Sequence, residues 1–134
     1  MDKPKKILIP VDGSASSEIL AEYGKFLAEA FPCEITLLNV QNIDASDRPS
    51  MNIGSDIVEE AKLKIGHLSN SNSTISKRVA FGDPADVILD IAESEHFDII
   101  VICTHGLGAA KRFLLGSVTS KVVTHSLIPV LVLR

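Results

Sequence analysis

Tryptophan is absent from this chain, tyrosine occurs once, and aromatics make up only 4% of its 134 residues. Any core must therefore be aliphatic. Cysteine occurs twice, as Cys33 and Cys103, far apart and without a C-x-x-C pair. That excludes a disulfide scaffold and gives no support to a thiolate metal site. An excess of basic residues is missing too. The net charge is -4 and the pI about 5.5, which argues against a polyanion such as duplex DNA as partner and leaves open a small anion in a local pocket. Long apolar runs are lacking: the polar stretch 1–6 leads into five apolar residues, too few for a signal-peptide core or a bilayer span. A reducing, cytoplasmic setting without membrane anchorage is the expectation.

What is present is ordinary globular composition, 46% hydrophobic and 22% charged. The length fits one domain, residues 1–134, that buries roughly 68–70% of the surface its unfolded chain would expose.

Strand and helix patterns alternate along the chain. Residues 7–11 form an all-apolar run ending in Asp12-Gly13-Ser14, the signature of a strand covered on both faces. A helix follows, with Ile19, Leu20, Tyr23, Phe26, Leu27 and Ala30 at helical spacing, a cap from Ser14 or Ser16, and Pro32 as its stop. Residues 34–40 read as the second strand and 41–52 as the longest surface loop, a mobile one. The second helix carries Ile57, Ala61, Ile65 and Leu68 on one stripe and the pair Glu60 and Lys64 outside, and the Ser/Asn run 69–73 ends it.

The third strand, 74–81, alternates imperfectly and belongs at an edge. Gly82-Asp83-Pro84 opens a helix with Asp83 as cap and Val87, Ile88, Ile91 and Ala92 inward. Residues 99–103 are a central strand. A glycine-containing connection then leads to a last helix from Gly116-Ser117, with Val118, Val122 and Val123 facing in, and Pro129 to Leu133 close the chain as the fifth strand.

This alternation with right-handed crossovers predicts an α/β fold: a doubly wound, five-stranded parallel sheet with helices on both faces and strand order 3-2-1-4-5. Ligands of such sheets sit beyond the carboxyl ends of the strands where the order reverses, here between strands one and four. Asp12 and the stretch 104–106 would meet there.

The site to watch is Cys103-Thr104-His105-Gly106, nine residues, then Gly116-Ser117. It sets a loop before a helix whose first amides lack internal partners and attract an anion. Gly106 and Gly116 let the backbone approach a phosphate closely, and Ser117 and Thr119 carry hydroxyl donors. Plainer readings stand beside this one: Asp12 as a turn or capping residue, Gly116-Ser117 as a simple helix start, His105 as a solvated loop residue, Cys103 as an inert buried thiol. Gly106-Leu107-Gly108 lacks the third glycine of a dinucleotide fingerprint, the Walker sequence is absent, and no Ser/His/Asp or paired-carboxylate constellation is recognisable.

With these residues in view, the chain resembles the universal stress protein family. Its nucleotide signature, Gly-x2-Gly-x9-Gly followed by Ser or Thr, is matched at Gly106, Gly116 and Ser117. The surrounding words agree at 7–14, 82–84 and 129–132. The resemblance implies a non-catalytic regulatory protein that binds ATP or AMP, with or without Mg2+. Pro10, Val11, Asp12 and Val40 would hold the adenosine, and Gly106, Gly116, Ser117, Val118 and Thr119 the phosphates. His105 and Lys111 or Arg112 would lie near phosphate charge.

Cys103 departs from the signature, standing where its first glycine is expected. If that position required φ > 0, a non-glycine residue would cost roughly 1–2 kcal/mol, a five- to thirtyfold loss of affinity. If it merely continues the strand, only side-chain bulk matters. The same fold without a nucleotide, acting as a protein-interaction module, and a slow ATPase or adenylyl-transfer enzyme are the alternatives. A homodimer through the apolar fifth strand, Pro129 to Leu133, is expected, because that strand would otherwise leave a sheet edge unpaired.

Overall fold

Ile7, Leu8 and Ile9 are consecutive and all fully buried, which a strand can achieve only when both of its faces are covered. They form the middle of β1 (Lys6–Pro10), the central strand of a parallel sheet with β2 (Glu34–Gln41), β3 (Thr74–Phe81), β4 (Ile99–Cys103) and β5 (Val130–Leu133). The order β3-β2-β1-β4-β5 is the one expected from the sequence. The computed structural model describes residues 2–42, 51–70, 72–104 and 116–134, so most of the loop expected at 41–52 lies outside the described residues.

Successive side chains of a strand point to opposite faces, and the core divides accordingly. Ile7, Ile9, Ile35, Leu37 and Val101 pack under α1 (Ser16–Ala30) and α2 (Met51–Ile65). Leu8, Leu38, Ile100 and Ile102 pack under α3 (Pro84–Ser94) and α4 (Ser117–His125). The chain therefore winds outward in both directions from β1 and β4, and this pair is where strand order reverses.

The helices follow their sequence signals with four corrections. The spacing in α1 predicts Ile19, Phe26 and Ala30 inside, yet Ile19 and Phe26 are 41% and 61% exposed. Leu20 is buried as the spacing predicts, and Ser17, Ala21, Gly24 and Ala28 face the sheet beside it. Small residues win that face because the helix lies close: a Cβ on Gly24 would stand 3.2 Å from Ile9 Cδ1.

Neither Ser14 nor Ser16 caps α1; their hydroxyls bond each other at 2.7 Å, and the helix begins after Ala15 with no side-chain cap. Helix α2 stops at Gly66, whose left-handed φ of +66° closes it with a bond from its amide to Lys62 O, before the Ser/Asn run is reached. Leu68 thus packs against the core from beyond the helix. In α4, Val122 is buried but Val123 is 41% exposed, and Thr119 is the other inward residue.

Helix α3 starts as expected, with Pro84 in its first turn and the Asp83 carboxylate accepting from Asp86 N at 3.1 Å. Lys121 of α4 reaches Asp86 at 2.8 Å, locking α4 beside α3; hydrogen bonding to Lys121 holds the Asp86 carboxyl below its ordinary range.

The two edges of the sheet differ in chemistry. On β3, Lys77 pairs with Glu59 and Arg78 with Glu95, tying the edge to helices on both faces. Strand β5 is Val-Leu-Val-Leu, half-buried throughout, with the strongly exposed Leu127 just before it. A charged edge resists strand addition, and an apolar one invites it.

Gly54 illustrates how tightly α2 sits on this sheet. A Cβ there would come within 2.7 Å of Val79 Cγ1 and 3.0 Å of Asn39 Oδ1. Alanine ordinarily gains about 1 kcal/mol over glycine within a helix, whereas overpacking a core costs roughly 1–3 kcal/mol. Gly54→Ala is therefore expected to lower stability by about 1 kcal/mol, read as a reduced urea midpoint; an increased midpoint would show that α2 can lift away freely.

Candidate functional site

The carboxyl ends of β1 and β4 lie side by side, since β1 pairs with β4 as well as with β2. Beyond them β1 runs into a turn that leads to α1. Val11 N still donates to Leu38 O at 2.8 Å, extending the ladder one residue past the strand. Asp12 follows, exposed at the sheet end, and its Oδ1 accepts from Ser14 N at 2.9 Å. The turn reading of Asp12 is thus realised, and the same geometry leaves this carboxylate at the switch point. Gly13 has φ +83° and lies against Ile57 of α2, so a side chain there would be both strained and crowded.

Helix α4 is fastened to the end of β4 by two short bonds. Thr119 Oγ1 donates to Cys103 O at 2.6 Å, and Gly116 N donates to Thr104 O at 2.6 Å. Gly116 is the N-cap residue, in an extended conformation, and the first helical bond runs from Ser120 N to Gly116 O. The amides of Ser117, Val118 and Thr119 precede that bond and have no partner within the helix. They form a positive notch at the place where strand order reverses.

One expectation changes here. The Thr119 hydroxyl has a single proton, and it is committed to Cys103 O in a residue only 4% exposed. Thr119 is left with its amide to offer an anion, and Ser117, which is exposed, is the hydroxyl on the outer side of the notch.

Cys103 simply ends β4, paired with Leu133. Among the described residues only His96 is a non-glycine with positive φ, so the 1–2 kcal/mol backbone cost considered for residue 103 does not arise. Its side chain belongs to the core layer under α1, with Sγ 3.7 Å from Ser16 O, and not to the face that carries α4. Burial, with the Asp12 carboxylate as the second cause, pushes the thiol up to about 11. That describes an inert thiol.

Pro10 ends β1 and Val40 lies near the end of β2, both half-buried, while Val11 is 3% exposed within the α1 layer. Val40 packs with the opposite layer, the one under α3 and α4. The structure thus gathers Pro10, Val11, Asp12, Cys103, Gly116, Ser117, Val118 and Thr119 around the ends of β1 and β4, with Val40 one strand away. His105, Gly106, Lys111 and Arg112 lie outside the described residues.

Sequence reasoning missed Asn39. It is 2% exposed, its Nδ2 donates to Val11 O at 2.8 Å, and its Oδ1 accepts from Gln41 Nε2. The available signal was a lone amide inside the apolar run Ile35-Thr36-Leu37-Leu38-Asn39-Val40.

A family model described as the universal stress protein family matches residues 3–134. Universal stress protein MJ0577 of Methanocaldococcus jannaschii is 32% identical over 97% of this chain and 94% of its own length. Its solved structure superimposes with a TM-score of 0.70. A universal stress protein solved in complex with cAMP gives a TM-score of 0.79 at 22% identity, over 99% of this chain and 98% of that one. An Arabidopsis thaliana member of that family with AMP bound gives 0.65 at 21% identity, over 97% and 91%. The last two likenesses, at their low identity, speak for the fold.

The raised Cys103 thiol yields a signed prediction. A folded-state value of about 11 against an ordinary 9.0 means that the folded protein holds this proton more tightly. Stability contributed by the neutral thiol is present below about pH 9 and is lost as pH rises from there toward 11. In native protein at pH 8, Cys103 should react with a maleimide far more slowly than the same residue in urea, read by peptide mass spectrometry. Equal rates would contradict the burial described.

Proposed function

This chain belongs to the universal stress protein family, and from that premise we propose that it binds an adenine nucleotide, ATP or AMP, as a regulatory protein without catalysing a reaction on it. The observation that carries this reading is the fastening of the α4 start to the end of β4, which sets three amides without helical partners beside the strand ends where the order reverses. The cAMP and AMP held by the two structural relatives named above agree in ligand class. In this reading Pro10, Val11, Asp12 and Val40 hold the adenosine. Gly116, Ser117, Val118 and Thr119 hold the phosphates, together with His105 and Gly106 of the preceding loop and the strand end at Cys103. Mg2+ would arrive on the phosphates: among the described residues no three His, Cys, Asp or Glu side chains cluster as a metal site.

Fit at residue 103 supports the assignment. The thiol turns toward Ser16 and away from α4, so the departure from the family signature puts no side chain on the face that carries α4. The chain acts in the cytoplasm as a single domain, 1–134. Among the described residues no helix is long and apolar enough to cross a membrane.

Calorimetry with millimolar ATP and Mg2+ should give a saturable heat, and denatured protein should release a co-purified adenine nucleotide detectable by mass spectrometry. Ser117→Asp sets a negative charge at the α4 start and should weaken ATP binding by about tenfold or more. No heat with the wild-type protein would favour an interaction module without a ligand. Phosphate release above the buffer rate would favour the enzyme alternative.

We also propose a homodimer through β5, supported by the contrast between its uncharged sequence and the ion-paired β3 edge. Sedimentation at micromolar concentration should show a dimer, and Val132→Lys should shift it to monomer; a wild-type monomer would refute the assignment.

A further inference from the structure

Asn39 is an amide side chain in a layer of aliphatic ones. On the same face of β2 its neighbours Ile35 and Leu37 are fully buried, and Asn39 itself is 2% exposed. An apolar residue of similar size would pack there without having to satisfy polar atoms. Both ends of the amide are nevertheless used: Nδ2 donates to Val11 O, and Oδ1 accepts from Gln41 Nε2. The amide orientation follows from these partners, because a carbonyl acceptor at Val11 demands the nitrogen on that side.

The position matters more than the burial. Val11 is the last residue that β2 holds by its backbone amide, through Leu38 O. The next residue is Asp12, whose carboxylate receives Ser14 N, and then Gly13, whose amide donates to Ser17 Oγ. The Val11 carbonyl is thus the hinge between strand and turn, and the Asn39 amide holds it. Gly54 of α2 lies over Asn39, so close that an added Cβ would stand 3.0 Å from Oδ1.

We propose that Asn39 is a positioning residue of the nucleotide site: by holding the Val11 carbonyl it sets the direction in which the β1 to α1 turn presents Asp12 to the adenosine. The proposal rests on the nucleotide reading given above and assigns to β2 a role in it that needs no contact between Asn39 and the ligand. It separates the two halves of the site. The phosphate notch is fastened by Thr119 and Gly116, and the adenosine side is fastened by Asn39.

Asn39→Asp tests it, since the carboxylate keeps the shape and loses the donor toward Val11 O. Calorimetry on wild type and variant with ATP, and separately with inorganic tripolyphosphate, should show ATP affinity about tenfold weaker and tripolyphosphate affinity unchanged within about twofold. Circular dichroism records that the variant is folded. A folded variant with wild-type ATP affinity, or with equal losses for both ligands, overturns the proposal while the nucleotide reading stands; wild-type protein that binds no ATP removes the nucleotide reading itself. Should the variant not fold, nuclear magnetic resonance of wild-type protein gives a second measure. The Asn39 side-chain amide signals should shift on adding adenosine and stay in place on adding tripolyphosphate, and the reverse pattern or no shift with adenosine refutes the assignment.

Discussion

The bond from the Thr119 hydroxyl to the Cys103 carbonyl, buried and 2.6 Å long, is the contact on which the site depends. A net gain of about 0.5–1.5 kcal/mol is ordinary for such a bond, while leaving the carbonyl orphaned would cost roughly 1–3 kcal/mol. Its geometric consequence is larger than its energy. With Gly116 N on Thr104 O, it fixes where α4 begins relative to the sheet, and so where three amides without helical partners point. Lys121 adds a lateral tie from α4 to the start of α3 at Asp86. The helix is held at its first turn and along its side.

The crevice exists because the sheet is wound in two directions from β1 and β4. Fully buried residues along β1 need cover on both sides, and the two helix pairs provide it. The turn after β1 is held from the opposite side of the molecule, through Asn39 on Val11 O and Ser17 on Gly13 N. Two independently fastened walls therefore face each other across the switch point. The amino end of the sheet is sealed by contacts of another kind. Ser73 Oγ donates toward Ala28 O and accepts from Cys33 N, while Asp98 accepts from the amides of Lys5 and Lys6. These contacts satisfy backbone groups at that end.

Much of the architecture was legible in the residues because it rests on local rules. Continuous apolar runs gave β1 and β4, Asp83-Pro84 gave the start of α3, and the weakly alternating 74–81 gave an edge strand. Legibility failed where packing distance overrode periodicity. In α1 the large residues Ile19 and Phe26 lie outside and glycine and alanine lie inside, because the helix approaches β1 too closely for bulk. Periodicity finds a stripe, and the depth of the groove decides which stripe is buried. At α2 the stop was read from the polar run, while Gly66 had already turned the chain by adopting a left-handed conformation.

The sequence by itself determined the alternation of elements, the strand order and the family signature around Gly116 and Ser117, because each follows from residue type and spacing. Only the tertiary structure decided which way the Cys103 thiol points, that the Thr119 hydroxyl is spent on a carbonyl, and that Asn39 holds the turn at Val11. Those outcomes depend on which face of a strand meets which helix and at what distance. A linear pattern of residues does not encode such distances until the layers are packed.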